Sequence, residues 1–443
     1  MVLSPPNFLA HHLSRPVAIF GEGVSGLGVR ALLGALGKEG IAYDVRGQEF
    51  TADAAARHRL VVYSPGFAPG HSWIARARAA GCLCLGELDF ASLFWRGRVI
   101  AITGTNGKTT LTEFLTHALQ SLGRGARVAG NVGHAFSRLA AAADGGAEEM
   151  TAVCEVSSFQ AETLEYFQAD ATLWTNFAED HLERHHTMDE YFAAKSVLAA
   201  RSDRVFAGSS VKAYAAKASG RWKCFSGPRT HAYRPDPFAN AVWVPTEGQG
   251  DDPRLWGTVF ADYPQRENFI LASAWWRASG LDLTALYASA RTFRLGRHRL
   301  SRVAQEGGVT YWNDSKATNF HAVEAALARF SRPVLLIAGG KAKGGDLAGF
   351  VHRIAPRVRQ AFLIGATRSE LVRACAAEHV AYAECETLAD AVQRASAAAG
   401  PGDHVLLSPA FASFDMFLNY EDRGDQFERL VREHFLAAPA GRH

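Results

Sequence analysis

Apolar residues along this chain fall in short blocks, and most blocks stop at glycine or proline. Val17–Phe20 is apolar throughout and runs into Gly21-Glu22-Gly23-Val24-Ser25-Gly26-Leu27-Gly28. A block of that length ending on glycine predicts a buried strand, followed here by a helix to about Gly37. Ile41–Val45 predicts a second strand ending near Asp44, and Leu60–Ser64 a third, stopped by Pro65-Gly66. Strands alternating with helical stretches predict βαβ units and a parallel sheet. A second unit opens at Val99–Thr103, continues in a helix from Thr109 to about Leu122, and has further strands at Thr151–Val156 and Ala171–Trp174. A third repeats the theme with Val334–Ala338, Gln360–Ile364 and His404–Leu407, ending on Gly339-Gly340, Gly365 and Ser408-Pro409. Ser219–Gly257 is rich in turn residues and has little period. Repeats of about 20–50 residues are absent, and the alanine runs Ala140–Ala143 and Ala397–Ala399 read as ordinary helix surface.

Composition narrows the class. A chain of 443 residues predicts two to four domains at about 100–200 residues each. With 47 basic and 44 acidic residues the net charge is +3, too balanced to point to nucleic acid or an anionic membrane. No apolar run reaches the ~18 residues of a membrane span, and Met1 to Pro16 has no signal-peptide core. Cys82 and Cys84 sit close together while Cys154, Cys224, Cys375 and Cys385 are scattered. This spacing suits neither a disulfide framework nor zinc, so free thiols in a cytoplasmic protein are the expectation.

The strongest local signal is Gly104-Thr105-Asn106-Gly107-Lys108-Thr109-Thr110, between a strand and a helix. Glycines let successive N–H groups face phosphate oxygens, and the following helix adds its positive end. Lys108 can reach the β/γ-phosphates of ATP, and the Thr109 hydroxyl can ligate Mg²⁺. Ile102 stands where a complete G-x-x-x-x-G-K-[ST] would have its first glycine; a glycine turn without a ligand is the bland alternative. The N-terminal G-x-G-x-x-G, with Asp44 18 residues after Gly26, is by itself a dinucleotide fingerprint and suggests NAD. A diphosphate carried by a substrate satisfies the same loop physics, and the triphosphate loop in the next unit favours that reading. The expected fold class is therefore α/β in three domains, each on a mainly parallel sheet. These are a Rossmann-like N-terminal domain over 1–95, a central P-loop domain over 96–295 and a Rossmann-like C-terminal domain over 296–443.

Glu155 ends a central strand in Glu155-Val156-Ser157-Ser158-Phe159-Gln160, where a carboxylate can hold Mg²⁺. The cluster Asn176-Phe177-Ala178-Glu179-Asp180-His181-Leu182-Glu183-Arg184-His185-His186 has zinc-like residue types without zinc spacing, and a solvated polar loop is its plainer reading. Lys195, on a predicted helix, reads from its neighbours alone as a surface lysine. In the last unit, Trp312–Asn319, Gly339–Gly344 and Ser408–Asp415 place polar groups at strand ends, where open α/β sheets bind ligands. Asn419–Gly424 follows. Basic and hydroxyl groups there suit an amino-acid carboxylate, although each residue singly could be a turn or a cap.

Five motifs in order, GTNGKTT, EVSSFQAE (Glu155–Glu162), NFAEDHLERH (Asn176–His185), NDSKATN (Asn313–Asn319) and SPAFASFDMFLNYEDRG (Ser408–Gly424), span most of the chain. They resemble the Mur ligases of bacterial cell-wall synthesis, most closely the glutamate-adding type. The Asp-Asn-Pro-Arg motif of the diaminopimelate- and lysine-adding type is absent. The resemblance implies an ATP-dependent amide ligase acting on UDP-N-acetylmuramoyl-L-alanine and glutamate, two Mg²⁺ sites and a monomer. A substrate carboxylate attacks the γ-phosphate, and the neutral amine of glutamate then displaces phosphate from the acyl phosphate. It also implies roles. Gly104–Thr110, with Arg299 and Asp314, would bind ATP. Lys108, Glu155, His181 and Lys195 would be catalytic, with Thr109, Glu155, His181 and a carbamylated Lys195 holding metal. Ser25, Asp44, Arg46, Ser64, Asn131 and Ser157 would surround the UDP substrate. Lys316, Thr318, Lys343, Ser413 and Tyr420 would surround glutamate.

The chain departs from the family pattern at several points. Glu267-Asn268 replaces His-Asn, and Leu271 replaces an asparagine. Gly296-Arg297-His298-Arg299 replaces Leu-Pro-His-Arg, and Gly339-Gly340-Lys341-Ala342-Lys343 replaces Gly-Gly-Asp-Gly-Lys. Phe411, Phe414, Met416 and Tyr420 vary the last motif. D-glutamate is the family default, but lost contacts of ~1–3 kcal/mol each are enough to reverse an enantiomer preference, so L-glutamate stays open. So do a ligase adding another amino acid, a nucleotide-binding protein without ligase chemistry, and the NAD reading.

Overall fold

The computed structural model describes residues 3–142, 145–218 and 236–437. Cys224, residues 219–235 of the turn-rich stretch and the end of the Ala140–Ala143 run lie outside them. Among the described residues three sheets account for the strands, and all but one strand-to-strand pairing is parallel. The first has order β2-β1-β3-β4, formed by β1 (Val17–Phe20), β2 (Gly40–Tyr43), β3 (Leu60–Tyr63) and β4 (Leu83–Gly86). The second comprises β5 (Arg98–Thr103), β6 (Ala126–Gly130), β7 (Thr151–Glu155), β8 (Ala171–Trp174), β9 (Val205–Ala207) and β10 (Ala241–Trp243), in the order β10-β9-β8-β5-β7-β6. The third comprises β11 (Ser301–Glu306), β12 (Val309–Asn313), β13 (Val334–Gly339), β14 (Val358–Ile364), β15 (Ala381–Glu384) and β16 (His404–Leu407). Its order is β11-β12-β16-β13-β14-β15, with β11 antiparallel to β12. The expected class, three domains on mainly parallel sheets, is the one observed.

Strands β1, β3 and β8 are buried at every position, as expected when helices cover both faces of a parallel sheet. β4, β6, β9, β10, β11, β12 and β15 escaped the sequence reading. Several of them carry polar or small residues, and β11 and β15 are edge strands with exposed positions.

The chain divides into two compact units. One holds residues 1–177, 189–261 and 265–293, and so contains the first two sheets; the other holds 178–188, 262–264 and 294–443. Within the first unit a single apolar cluster joins Val17, Ile19, Leu60 and Val62 to Val99, Ala101, Ala152 and Cys154, so the first two sheets share core. Two buried acids reinforce that junction. Glu87 accepts both the backbone N–H and the hydroxyl of Ser137 (2.7 and 2.6 Å). Asp89 accepts the N–H groups of Glu165, Tyr166 and Phe167. Leaving one such buried donor unpaired costs about 1–3 kcal/mol. Among the described residues no helix is long and apolar enough to cross a membrane.

Candidate active site

In the first unit the glycine loop leaves β5, the strand flanked by β8 and β7. The helix Lys108–Ser121 follows it directly, so the free N–H groups of that helix begin where the loop ends. Asn176, just past β8, shapes the loop from the side. Its Oδ1 accepts the Asn106 N–H (2.9 Å), its Nδ2 donates to the Asn106 carbonyl (3.1 Å), and its own carbonyl accepts the Thr105 N–H (3.1 Å). The Thr175 hydroxyl donates to the same Asn106 carbonyl at 2.6 Å. Gly107 has φ +81 and a Cβ there would lie 2.5 Å from Asn268 Oδ1, which accounts for glycine at this turn. Lys108 Nζ folds back to the carbonyls of Gly104 (3.0 Å) and Thr105 (2.9 Å).

Glu155 is the last residue of β7 and lies in register with Ile102 of β5. It is 2% exposed. Oε1 accepts the side-chain amide of Asn131 at 2.8 Å, whereas Oε2 is buried without a hydrogen-bond partner. A buried, unsatisfied carboxylate oxygen beside a phosphate loop fits a divalent-cation ligand, because such an atom is costly unless something coordinates it. Asn131, expected to meet the substrate, thus also holds this carboxylate.

Lys195 overturns the plain reading of its neighbours. It lies on the helix Met188–Ala200 and is 1% exposed. Its Nζ donates to Gly104 O (2.9 Å) and Thr103 Oγ1 (3.3 Å) and lies 4.9 Å from the centre of the Tyr191 ring. The four residues before it, Tyr191, Phe192, Ala193 and Ala194, are all buried too, so this helix is enclosed rather than amphipathic. No sequence period could reveal that.

At the N-terminal loop, Asp44 turns both oxygens to the chain itself. Oδ2 accepts the Glu22 N–H (3.1 Å) and Oδ1 the Arg46 N–H (3.0 Å). The N–H groups of Arg46 and Glu22 hold its carboxyl below the usual carboxylate range. Asp44 therefore ties the glycine loop to the turn after β2. Ser157 is likewise spent locally: it caps the helix Ser158–Ala161 in a reciprocal box with Gln160.

In the second unit, loops at the carboxyl ends of β12, β13 and β16 meet the segment 178–188. A pocket there is lined by Glu179, Asp180, Leu182, Thr318, Asn319, Phe320, Lys343, Gly344, Ala410 and Phe411. Lys343 Nζ is 3.3 Å from Thr318 Oγ1 and 3.5 Å from Asp180 Oδ1. Asn319 Nδ2 donates to Asp180 Oδ2 at 3.0 Å. His181 has φ 56, and its ring nitrogens lie 3.4 Å from Glu183 Oε1 and 3.6 Å from Asp180 Oδ2. Lys316 Nζ stands 3.7 Å over the Tyr420 ring, a cation–π contact. Thr318 and Lys343 therefore line the pocket with Asp180, while Lys316, Ser413 and Tyr420 are not among its lining residues.

Asp314 is buried, with Oδ1 accepting the Leu300 N–H (3.0 Å) and Oδ2 the Ser408 hydroxyl (2.8 Å). Burial raises its carboxyl to about 7, against the opposing effect of Ser408, the Leu300 N–H and the positive charges of Arg299 and Arg423. Arg423, to which the resemblance gave no role, is fully buried. It donates to Ser315 Oγ (2.9 Å), Ser315 O (2.9 Å) and Phe411 O (3.2 Å), fastening two pocket loops together. Burial lowers its guanidinium to about 10. Its position inside the Ser408–Gly424 motif was the available signal. Asn268, the asparagine kept from the family's His-Asn, packs on the glycine loop; of the departures, Leu271 is fully buried, and burial followed by the charge of Glu247 raises Glu267 to about 7.

A glycine loop that opens a helix beside a buried carboxylate, on a three-sheet α/β chain, is the architecture of a nucleotide-binding enzyme. The chain matches the Mur ligase middle domain over residues 102–210 and the Mur ligase glutamate ligase domain over 298–411. It belongs to the Mur ligase family.

Within that family it is 35% identical over 418 residues to the UDP-N-acetylmuramoylalanine–D-glutamate ligase of Acidobacterium capsulatum, covering 91% of this chain and 88% of that one. It is 31% identical to the enzyme of the same name from Caldanaerobacter subterraneus subsp. tengcongensis, covering 94% and 98%. In fold it is similar to the UDP-N-acetylmuramate–alanine ligase of Thermotoga maritima, with a TM-score of 0.58 at 14% identity over 95% of this chain and all of that one.

Proposed function

We propose that this ligase joins glutamate to UDP-N-acetylmuramoyl-L-alanine, with ATP converted to ADP and phosphate. The end-to-end similarity to relatives named for that reaction carries the reading, and the local chemistry agrees with it. A carboxylate is a poor acyl donor, so it must first take the γ-phosphoryl group; the amine of glutamate then attacks the acyl phosphate and phosphate leaves. Lys108 and the N–H groups of the glycine loop would hold the triphosphate. Glu155 and Thr109 would hold Mg²⁺, which when bound offsets the charge of the two anions that must meet. His181 and Lys195 would serve a second Mg²⁺, with Lys195 carrying a carbamate that turns a buried cation into an anionic ligand.

In the second unit, Lys343 and Thr318 would receive a carboxylate of glutamate, and Arg299 and Asp314 would meet ATP. Lys316, Ser413 and Tyr420 would lie further round the amino acid. In the first unit Ser25, Arg46 and Ser64 would face the uridine diphosphate, with Asp44 and Ser157 shaping that surface and Asn131 reaching the sugar-peptide. The decisive assay supplies ATP, Mg²⁺ and UDP-N-acetylmuramoyl-L-alanine with each glutamate enantiomer and measures phosphate release. Release with D-glutamate is expected. Release with L- alone would reverse the stereochemical default, and release with neither would sink the reading.

A further inference from the structure

Glu179 sits one residue before Asp180 in the segment packed on the third sheet's loops, and the reaction gives it no task. Its Oε1 accepts the backbone N–H of Asp346 at 3.1 Å. Gly345 has φ +111, and a Cβ there would lie 2.9 Å from Glu179 Oε1 and 3.0 Å from the Phe320 ring. The close approach therefore needs glycine. One residue earlier, Gly344 lies against Leu182: a Cβ there would meet that side chain at 3.5 Å. Asp346 itself caps the helix Leu347–Ile354, its Oδ1 accepting the Gly349 N–H at 2.9 Å. That helix keeps its cap without Glu179. What Glu179 fixes is the turn 344–346, and Lys343 is the residue entering that turn, with its Nζ between Thr318 Oγ1 and Asp180 Oδ1.

We propose that Glu179 is a positioning residue of the amino-acid pocket: by clasping the Gly345–Asp346 turn it sets where the Lys343 ammonium stands for an incoming carboxylate. The proposal rests on the reading of Lys343 as a glutamate-binding residue. It separates two properties that a purely structural carboxylate would not. The clasp needs an acceptor, not a charge, so Glu179→Gln should keep it and Glu179→Ala should lose it. The loss should fall on one substrate.

The test combines amide hydrogen exchange with steady-state kinetics on the full chain. Glu179→Ala is expected to unprotect the Asp346 amide. It should raise KM for the glutamate enantiomer that the wild type uses by about tenfold, the scale of one misplaced charged contact. KM for ATP and for the UDP substrate should stay within about twofold. Glu179→Gln should stay near wild type in both measurements, and Gly345→Ala should repeat the alanine phenotype. The proposal is overturned by unchanged protection of Asp346, by an unchanged glutamate KM, by an equal rise for all three substrates, or by Glu179→Gln failing as badly as Glu179→Ala. A wild type inactive with both glutamates would instead remove the pocket's assigned substrate, and the proposal with it. The exchange data would still decide whether the clasp exists.

Discussion

The second and third sheets both present polar loops at the carboxyl ends of parallel strands, yet they hold charge in opposite ways. On the second sheet Glu155 keeps one buried oxygen unsatisfied. On the third, Asp314 has both oxygens bonded, Asp180 accepts from Asn319 and lies beside Lys343, and Lys316 covers an aromatic ring. An open buried carboxylate oxygen is costly and is tolerated where a ligand completes it. Internally paired groups cost little in the absence of substrate, but substrate must displace their partners. At Glu155 the second sheet is thus preset for a ligand, although Lys108 there must leave two loop carbonyls, whereas the third sheet exchanges one set of contacts for another throughout. Damage to the first should remove chemistry; damage to the second should mainly weaken binding.

The largest effect should come from Lys108→Ala. Removing the cation proposed to meet the transferring phosphoryl group is expected to cut phosphate release by about a thousandfold or more. A variant retaining a tenth of wild-type activity would break the contrast. Lys195→Ala should lose about a hundredfold, as when a group supporting a metal site is removed, and millimolar short carboxylic acids should restore much of it. Full activity without the acid would refute the carbamate. On the other side, Lys343→Ala should raise the glutamate KM about ten- to a hundredfold, the range for one charge-assisted hydrogen bond, with kcat close to wild type. A fall in kcat at unchanged KM would place Lys343 with the chemistry instead.

What the sequence revealed follows the same division. The glycine loop, β5, β7 and Glu155 were legible because local rules fix them: a buried strand, a glycine turn, a helix start. β1 and β13 were legible because both their faces are buried, which makes their residues uniformly apolar. Lys195 was misread from its neighbours because its burial comes from packing around the whole helix, which no period records; only the family pattern reversed that. Asn176, Asp180 and Arg423 stood inside quoted motifs without assigned roles. Each works by bonding backbone or side chains far off in sequence, such as Arg423 to Ser315, and such pairing exists only once the loops have met. Asp44 showed the converse: its spacing completed a dinucleotide fingerprint, and in the fold its oxygens hold the N–H groups of Glu22 and Arg46.

A change read in stability, not in activity, sharpens the contrast through pH. Asp314 is held near pH 7, against an ordinary 3.8, so in the folded chain it stays protonated where the unfolded chain ionises. Below about pH 4 both states carry the proton and the contribution to stability is fully present. Between about 4 and 7 the unfolded state alone gives up its proton, so stability falls as pH rises; above 7 both are ionised and the loss is complete. At about 1.4 kcal/mol per pH unit, the loss is at most about 4 kcal/mol. Asp314→Asn keeps the shape, an acceptor for the Leu300 N–H and a polar partner for Ser408, but cannot ionise. The melting temperature of the wild type should therefore drop relative to Asp314→Asn as pH rises from 4 to 7, with parallel curves above. Parallel curves throughout would mean that Asp314 is ionised in the fold. The third sheet would then carry a buried charge of its own, and the difference between the two sheets would narrow.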